Sequence, residues 1–346
     1  MFLRVGIFFI FLTTLFFSRL IWADQLIIEP EMGRAPVINA IKNARHTIDL
    51  VMYGWTDNQL LDNFIQQKRN GRTINVILEE KPYKREDENN KTITLLKEND
   101  INWIGNVPPF RLIHQKTLII DDKKALVMTF NFTRSTFKNE RNFALLIDDP
   151  KTVREIANVF SADWNHQPVI PHSANLIYSP DNSRERLTQL ISAAKNKINM
   201  YAQDVSDYKL TGTLARAAKK GVQINIITSK TLREKQANYL SRAGIHIYYD
   251  KKLYIHAKAM TIDDKEAVIG SINLTRASLE NNRELAVISH DPAVIRALNT
   301  QFEKDMTDTD RVKTRSFYSS RESDRVVRQV FKLIKQVARE IAKGSS

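Results

Sequence analysis

Two short stretches of this chain carry the same reactive set at the same spacing. His114, Lys116 and Asp121 form the first set, and His256, Lys258 and Asp263 the second. Asn131 and Asn273 each follow their histidine by 17 residues, and Thr129 and Ser271 place a hydroxyl two residues before those asparagines. Side chains at i and i+2 of a strand project from one face, so each histidine and its lysine point together. The lysine clamps an anion and the imidazole reacts. Brought together, two imidazoles, two ammonium groups and two amides suit cleavage of a phosphodiester. The lysines and asparagines neutralise the non-bridging oxygens as charge builds. One neutral imidazole attacks phosphorus. The other, protonated, donates to the leaving oxygen and then deprotonates the incoming water or alcohol. Imidazole suits both tasks because its unperturbed pKa lies near neutrality. Asp121 and Asp263 have the opposite parity and sit beside a tight turn, which makes them turn-setting or lysine-orienting groups. Neither a metal nor another cofactor is expected.

These sets must be positioned by a scaffold, and the scaffold is an internal repeat. Ile48-Asp49-Leu50 recurs as Ile198-Asn199-Met200, and Gly71 with Ile74 to Ile77 recurs as Gly221 with Ile224 to Ile227, both 150 positions apart. The histidine motifs, and Asp149-Pro150 against Asp291-Pro292, lie 142 apart. The first half therefore holds eight extra residues between Gly71 and His114, assigned to the polar stretch Tyr83 to Asn90. Each half predicts an amphipathic helix (Pro36 to Arg45; Ser183 to Lys195), a strand, and a helix ending at the glycine. A further strand, the His-Lys strand, a turn and another strand follow. A proline-opened helix closes the unit (Pro150 to Trp164; Pro292 to Met306). Alternating strands and helices predict two similar α/β sandwich domains related by a pseudo-two-fold, with the site at their interface.

The paired motifs resemble the HKD motifs of the phospholipase D superfamily, and the resemblance covers about Gln25 to Met306. Ser179 to Ser183 and Gly270 to Asn273 also look like members that carry both motifs in one chain. The resemblance implies a phosphohistidine mechanism without metal, with His114 as nucleophile and His256 as general acid. It also implies a downstream acid that orients each histidine. Glu284, 28 residues after His256, fits that role in the second half, whereas the first half has Asn142 at this spacing, with Glu140 nearby. An amide stabilises a charged imidazole less than a carboxylate does, so the histidines are not expected to be equivalent.

Composition sets outer bounds. The 346 residues are 42% apolar and carry a net charge of +13, which excludes a disordered chain and suits an anionic partner. The absence of cysteine excludes disulfides and a thiolate nucleophile. Residues 1–23, with Arg4 before an uncharged phenylalanine-rich run, read as a cleaved signal peptide, with a retained anchor as the alternative. The expected organisation is then a first domain at 24–167, a linker at 168–180, a second domain at 181–310 and a basic terminal helix within 311–346. That helix packs its apolar stripe on the domain or, alternatively, lies on a membrane surface. The expected function is a monomeric, secreted or periplasmic phospholipase D acting on phospholipid headgroups, with transfer to alcohols open to it. The alternatives are a nucleic-acid phosphodiesterase, cardiolipin-type synthesis, and a non-catalytic polyanion- or membrane-binding protein of the same fold. Fusing residues 1 to 30 to a reporter active only outside the cytoplasm is expected to give signal, and a silent reporter rejects export.

Overall fold

The computed structural model describes residues 24–230 and 232–312; the leader 1–23 and the expected basic helix lie outside them. The first half runs β1 (Gln25–Glu29), α1 (Ala35–Lys42), β2 (Thr47–Met52), α2 (Asn58–Arg69), β3 (Thr73–Leu78), α3 (Asn90–Glu98), β4 (Asn102–Ile104), β5 (Thr117–Ile120), β6 (Lys124–Met128), β7 (Glu140–Ile147) and α4 (Pro150–Trp164). The second runs β8 (Leu176–Ser179), α5 (Ser183–Ala193), β9 (Lys197–Ala202), α6 (Tyr208–Lys219), β10 (Gln223–Thr228), α7 (Glu234–Arg242), β11 (His246–Asp250), β12 (Tyr254–Ile255), β13 (Lys258–Ile262), β14 (Glu266–Gly270), α8 (Arg276–Glu280), β15 (Glu284–Ser289), α9 (Pro292–Met306) and β16 (Thr309–Arg311).

Local chemistry accounts for the boundaries. Asp57 and Asp207 cap α2 and α6 by accepting from the Leu60 and Leu210 amides at 3.1 and 3.0 Å. Asp149 and Asp291 do the same for α4 and α9, each with proline at the first helical turn, where a missing N–H costs nothing. Past α2 and α6 the chain turns at Gly71 and Gly221, whose φ of +81° and +96° favour glycine.

The sheets share one order, β1-β7-β6-β5-β2-β3-β4 and β8-β15-β14-β13-β9-β10-β11, the second extended by β16 and the first by a pairing of β12 with β7. The expected pair of similar α/β domains is what forms. Each has its own core under its outer helices. A third core, with Val127, Phe143, Tyr201, Ile269 and Phe302 among its members, joins the two halves. Among the described residues no helix is long and apolar enough to cross a membrane.

Two features depart from the sequence reading. The stretch 168–180 is not all linker, because Leu176–Ser179 is buried as an edge strand against β15, with Leu176 opposite Val287. The flanking prolines obscured a four-residue strand. The helices α3 and α7 and the strands β1, β4 and β11 were also not anticipated. Most of the extra first-half residues fall between β3 and α3, close to the assigned stretch.

Asp121 and Asp263 set the turn. Asp121 accepts the backbone N–H groups of Arg45, His46 and Thr47 at 2.8, 2.7 and 2.9 Å, and Asp263 those of Lys195, Asn196 and Lys197 at 2.7, 2.7 and 2.9 Å. Each ties its β-hairpin to the start of the neighbouring strand. Burial opposes ionisation, but the three donors win and hold both carboxyls below the usual range. A depressed folded pKa gives stability that is present above the unfolded value and lost as pH falls through the folded one. Asp121→Asn or Asp263→Asn is therefore expected to cost about 1 kcal/mol or less in urea unfolding at pH 7, since solvent screens these partly exposed carboxylates, with the deficit vanishing in strong acid. Turnover per folded molecule is expected to stay within a few-fold; a large selective loss of turnover would place these carboxylates in the chemistry.

Candidate active site

The site is built by exchange between halves. Just before β13, β12 pairs in parallel with Glu140 and Arg141 of β7, and the amides of His256 and Ala257 donate to the Arg141 carbonyl at 3.2 and 3.0 Å. In mirror fashion Ile113 bridges Arg283, just before β15, and the His114 amide donates to the Arg283 carbonyl at 3.0 Å. Each histidine thus lies along a strand of the other domain.

The side chains follow the backbone. His114 Nδ1 lies 2.8 Å from Glu284 Oε2, and His256 Nδ1 lies 3.1 Å from Asn142 Oδ1. This corrects the sequence reading, which gave Glu284 to the histidine of its own half. Spacing along the chain could not show that the orienting group crosses the interface. Glu284 is itself fully buried and held by Ser278 Oγ.

Lys116 and Lys258 fold back so that each Nζ donates to its own histidine's carbonyl at 2.5 Å, and Lys258 Nζ also lies 3.3 Å from His256 Nε2. Burial lowers Lys116 to about 7, against the pull of Glu284. It lowers Lys258 further, with the Lys116 charge adding to the effect. Burial also lowers His114 to about 4, although Glu284 opposes it, and His256 falls well below its ordinary value through burial and the two lysines. The cleft without substrate therefore favours neutral imidazoles. A bound anion favours the protonated form of each of these groups.

His114, His256, Asn131 and Asn273 line one cleft of about 850 Å³ between the halves. The side-chain oxygens of Asn131 and Asn273 are buried and unpartnered within the protein, so these amides are not committed to structural bonds. Thr129 and Ser271 are fully buried and do not line the cleft. Thr129 Oγ1 donates to Asn142 Oδ1 at 2.8 Å, and Ser271 Oγ accepts from the Leu285 amide at 3.2 Å. Both hydroxyls are thus engaged within the protein, Thr129 with the amide that touches His256 and Ser271 with the Leu285 backbone. The strands end at Met128 and Gly270, so the hydroxyls turn inward and the asparagines emerge.

A family model described as cardiolipin synthase, PLD-like domain matches residues 37–164 and again 187–306. The chain belongs to the phospholipase D superfamily. A probable cardiolipin synthase of Bacillus subtilis (strain 168) is 24% identical over 246 residues, covering 61% of this chain and 49% of that protein. A mitochondrial cardiolipin hydrolase of Mus musculus is 28% identical over 148 residues, covering 42% of this chain and 64% of that protein. The crystal structure of phosphatidylserine synthase from Haemophilus influenzae Rd KW20 aligns with a TM-score of 0.64 at 14% identity, covering 92% of this chain and 93% of that one, which shows a shared fold. The chain spans about half the length of the cardiolipin synthases that it matches.

Several site residues of this superfamily member were not singled out in the sequence. Tyr53 packs edge-on against His114 with ring centroids 4.8 Å apart, and Tyr254 tilts toward His256 at 6.3 Å. Arg141 and Arg283 are buried, and each pairs with an aspartate on the other half's closing helix, Asp305 and Asp163, at 2.7 Å. Their signal was present, because Arg141 and Arg283, like Asp163 and Asp305, repeat at the 142-residue offset of the histidines.

The depressed histidines generate a test. In the unfolded chain imidazole takes a proton near 6.5, while folded His114 resists it down to about 4. Its contribution to stability is complete above the unfolded value and is lost as pH falls through that window. The protein is expected to lose about 2 kcal/mol from His114 between pH 7 and pH 5, read by urea unfolding. A His114→Gln variant is expected to lose less over the same interval, and an identical pH dependence would refute the buried neutral imidazole.

Proposed function

We propose that this chain transfers a phosphatidyl group from a phospholipid diester to a hydroxyl acceptor, water or alcohol, through a covalent phosphohistidine on His114. The observation that carries this reading is the unequal support of two buried imidazoles in one cleft, a carboxylate on His114 Nδ1 and an amide on His256 Nδ1.

Glu284 accepts the His114 Nδ1 proton, so the Nε2 lone pair faces the cleft. That pair attacks phosphorus, a P–N bond forms, and the bond from phosphorus to the leaving oxygen breaks. The positive charge left on the imidazole lies against Glu284. His256, protonated once the substrate anion is bound, gives its Nε2 proton to the leaving oxygen. Lys116 and Lys258, with the free amides of Asn131 and Asn273, hold the non-bridging oxygens. In the second half His256 accepts the proton of the incoming water or alcohol, whose oxygen displaces His114 as a neutral imidazole; His256, again protonated, returns that proton to solvent as the anionic product leaves. A phospholipid donor is favoured by relatives named as a cardiolipin synthase and a cardiolipin hydrolase. Those two names also mark the choice between an alcohol and water as acceptor. Arg4 and the apolar run after it support placing this activity outside the cytoplasm.

The test is the purified protein, with a strong chelator present, on phospholipid vesicles with and without a primary alcohol, beside single- and double-stranded nucleic acid. Headgroup release is expected, with a phosphatidyl alcohol formed when alcohol is present. Acid-quenched mass spectrometry is expected to find the phosphoryl adduct on His114, accumulating in His256→Ala with an activated diester. Cleavage of nucleic acid with lipid untouched would replace the substrate class. An adduct on His256 in His114→Ala would invert the division of labour.

A further inference from the structure

β7 and the entry to β15 carry the same three residue types in opposite order. The first half reads Glu140-Arg141-Asn142 and the second Asn282-Arg283-Glu284. On β7 the outer two share a face and the arginine points away; at the entry to β15 the Asn282 and Glu284 side chains likewise meet while Arg283 turns to Asp163. In the second half the carboxylate of Glu284 touches His114, and Asn282 Nδ2 stands behind it at 3.5 Å. In the first half Asn142 touches His256, and its Nδ2 donates to Glu140 Oε2 at 3.0 Å.

The orientation of the Asn142 amide is fixed by its surroundings. Thr129 Oγ1 accepts from the Phe143 amide at 2.9 Å, which leaves its own proton for Asn142 Oδ1. A flipped amide would also set its oxygen against the Glu140 carboxylate. Asn142 Oδ1 is therefore an acceptor, and His256 Nδ1 must carry a proton to reach it. We infer that Glu140 is a positioning residue for His256, acting through the Asn142 amide to fix the imidazole tautomer and to tune its readiness to give up a proton. This deepens the reading of His256 as the proton donor and rests on it.

The chemistry follows from the order of the pair. A carboxylate in direct contact, as on His114, holds an imidazolium firmly and suits the histidine that stays charged while bonded to phosphorus. A carboxylate one amide removed supports the charge more weakly and suits the histidine that must release its proton to a leaving oxygen. The other charges facing His256 are Lys258, two residues on at the start of β13, and Lys116 and His114 from the first half, all of which disfavour its protonated form. Asp204 and Glu88 line the same cleft. Glu140 also faces Lys258 and favours that ammonium.

The test reads the proton directly. The full chain is labelled with 15N-histidine, and the His256 signal is assigned with a His256→Gln variant. The wild type is expected to show the Nδ1–H tautomer. Glu140→Gln is expected to mix the tautomers and lower the proton affinity of His256 by about one pH unit, and Glu140→Asp to restore much of both. The exchanged pair Glu140→Asn with Asn142→Glu, which copies the second-half order, is expected to raise that affinity. In activity, Glu140→Gln is expected to cost about tenfold with an alkyl leaving group and little with bis(p-nitrophenyl) phosphate, with the alkaline limb of the rate profile moved to lower pH. An unchanged tautomer and affinity in Glu140→Gln would overturn the inference, as would equal losses on both substrates with an unmoved limb. If the wild type cleaves no diester, the proposed activity fails, while the nitrogen spectra still decide the role of Glu140.

Discussion

The exchange of strands across the domain interface is the constraint on which the site depends. β7 and the residues that enter β15 each present three groups to the opposite half. A backbone carbonyl receives the other half's histidine amide, a buried arginine grips the other half's closing helix, and a polar side chain fixes the other half's imidazole. Removing one member of a buried ion pair leaves a charge without a partner, a loss of about 3–5 kcal/mol. The interface and the catalytic geometry are therefore stabilised by the same residues. A displacement of the domains that broke Arg283 from Asp163 would also move Glu284 from His114.

That arrangement gives a pseudo-symmetric fold an asymmetric site. The backbone treats both halves alike, down to the carboxylate under each hairpin and the capped helices. The difference lies in the side chains that touch the imidazoles. A buried carboxylate against His114 and an amide against His256 give two histidines in similar backbone positions different affinities for a proton. Burial, with the lysines adding to it, disfavours the charged form of both imidazoles, and an anion bound among them favours it. Such a cleft is matched to a phosphodiester before it is matched to any particular ester, in keeping with a superfamily whose matched relatives here carry both synthase and hydrolase names.

The sequence alone determined the repeat, the α/β class, the two proline-opened helices to the residue, and the identity of the histidines and lysines. These follow from local rules. Period-two patterning, glycine at positive φ and proline at a helix start act over a few residues, and two motifs at one offset require two copies of one unit. Short edge strands such as Leu176–Ser179 escaped, because four residues carry too little pattern and their stability comes from the strand beside them. Only the tertiary structure decided which partner each histidine has. Glu284 and Asn142 lie at equal distances along the chain from the histidines of their own halves, yet each serves the opposite one. The tertiary structure likewise turned Thr129 and Ser271 inward and Asn131 and Asn273 toward the cleft. The physical reason is that a hydrogen bond depends on distance through space, and the packing of two domains sets that distance independently of the separation along the chain.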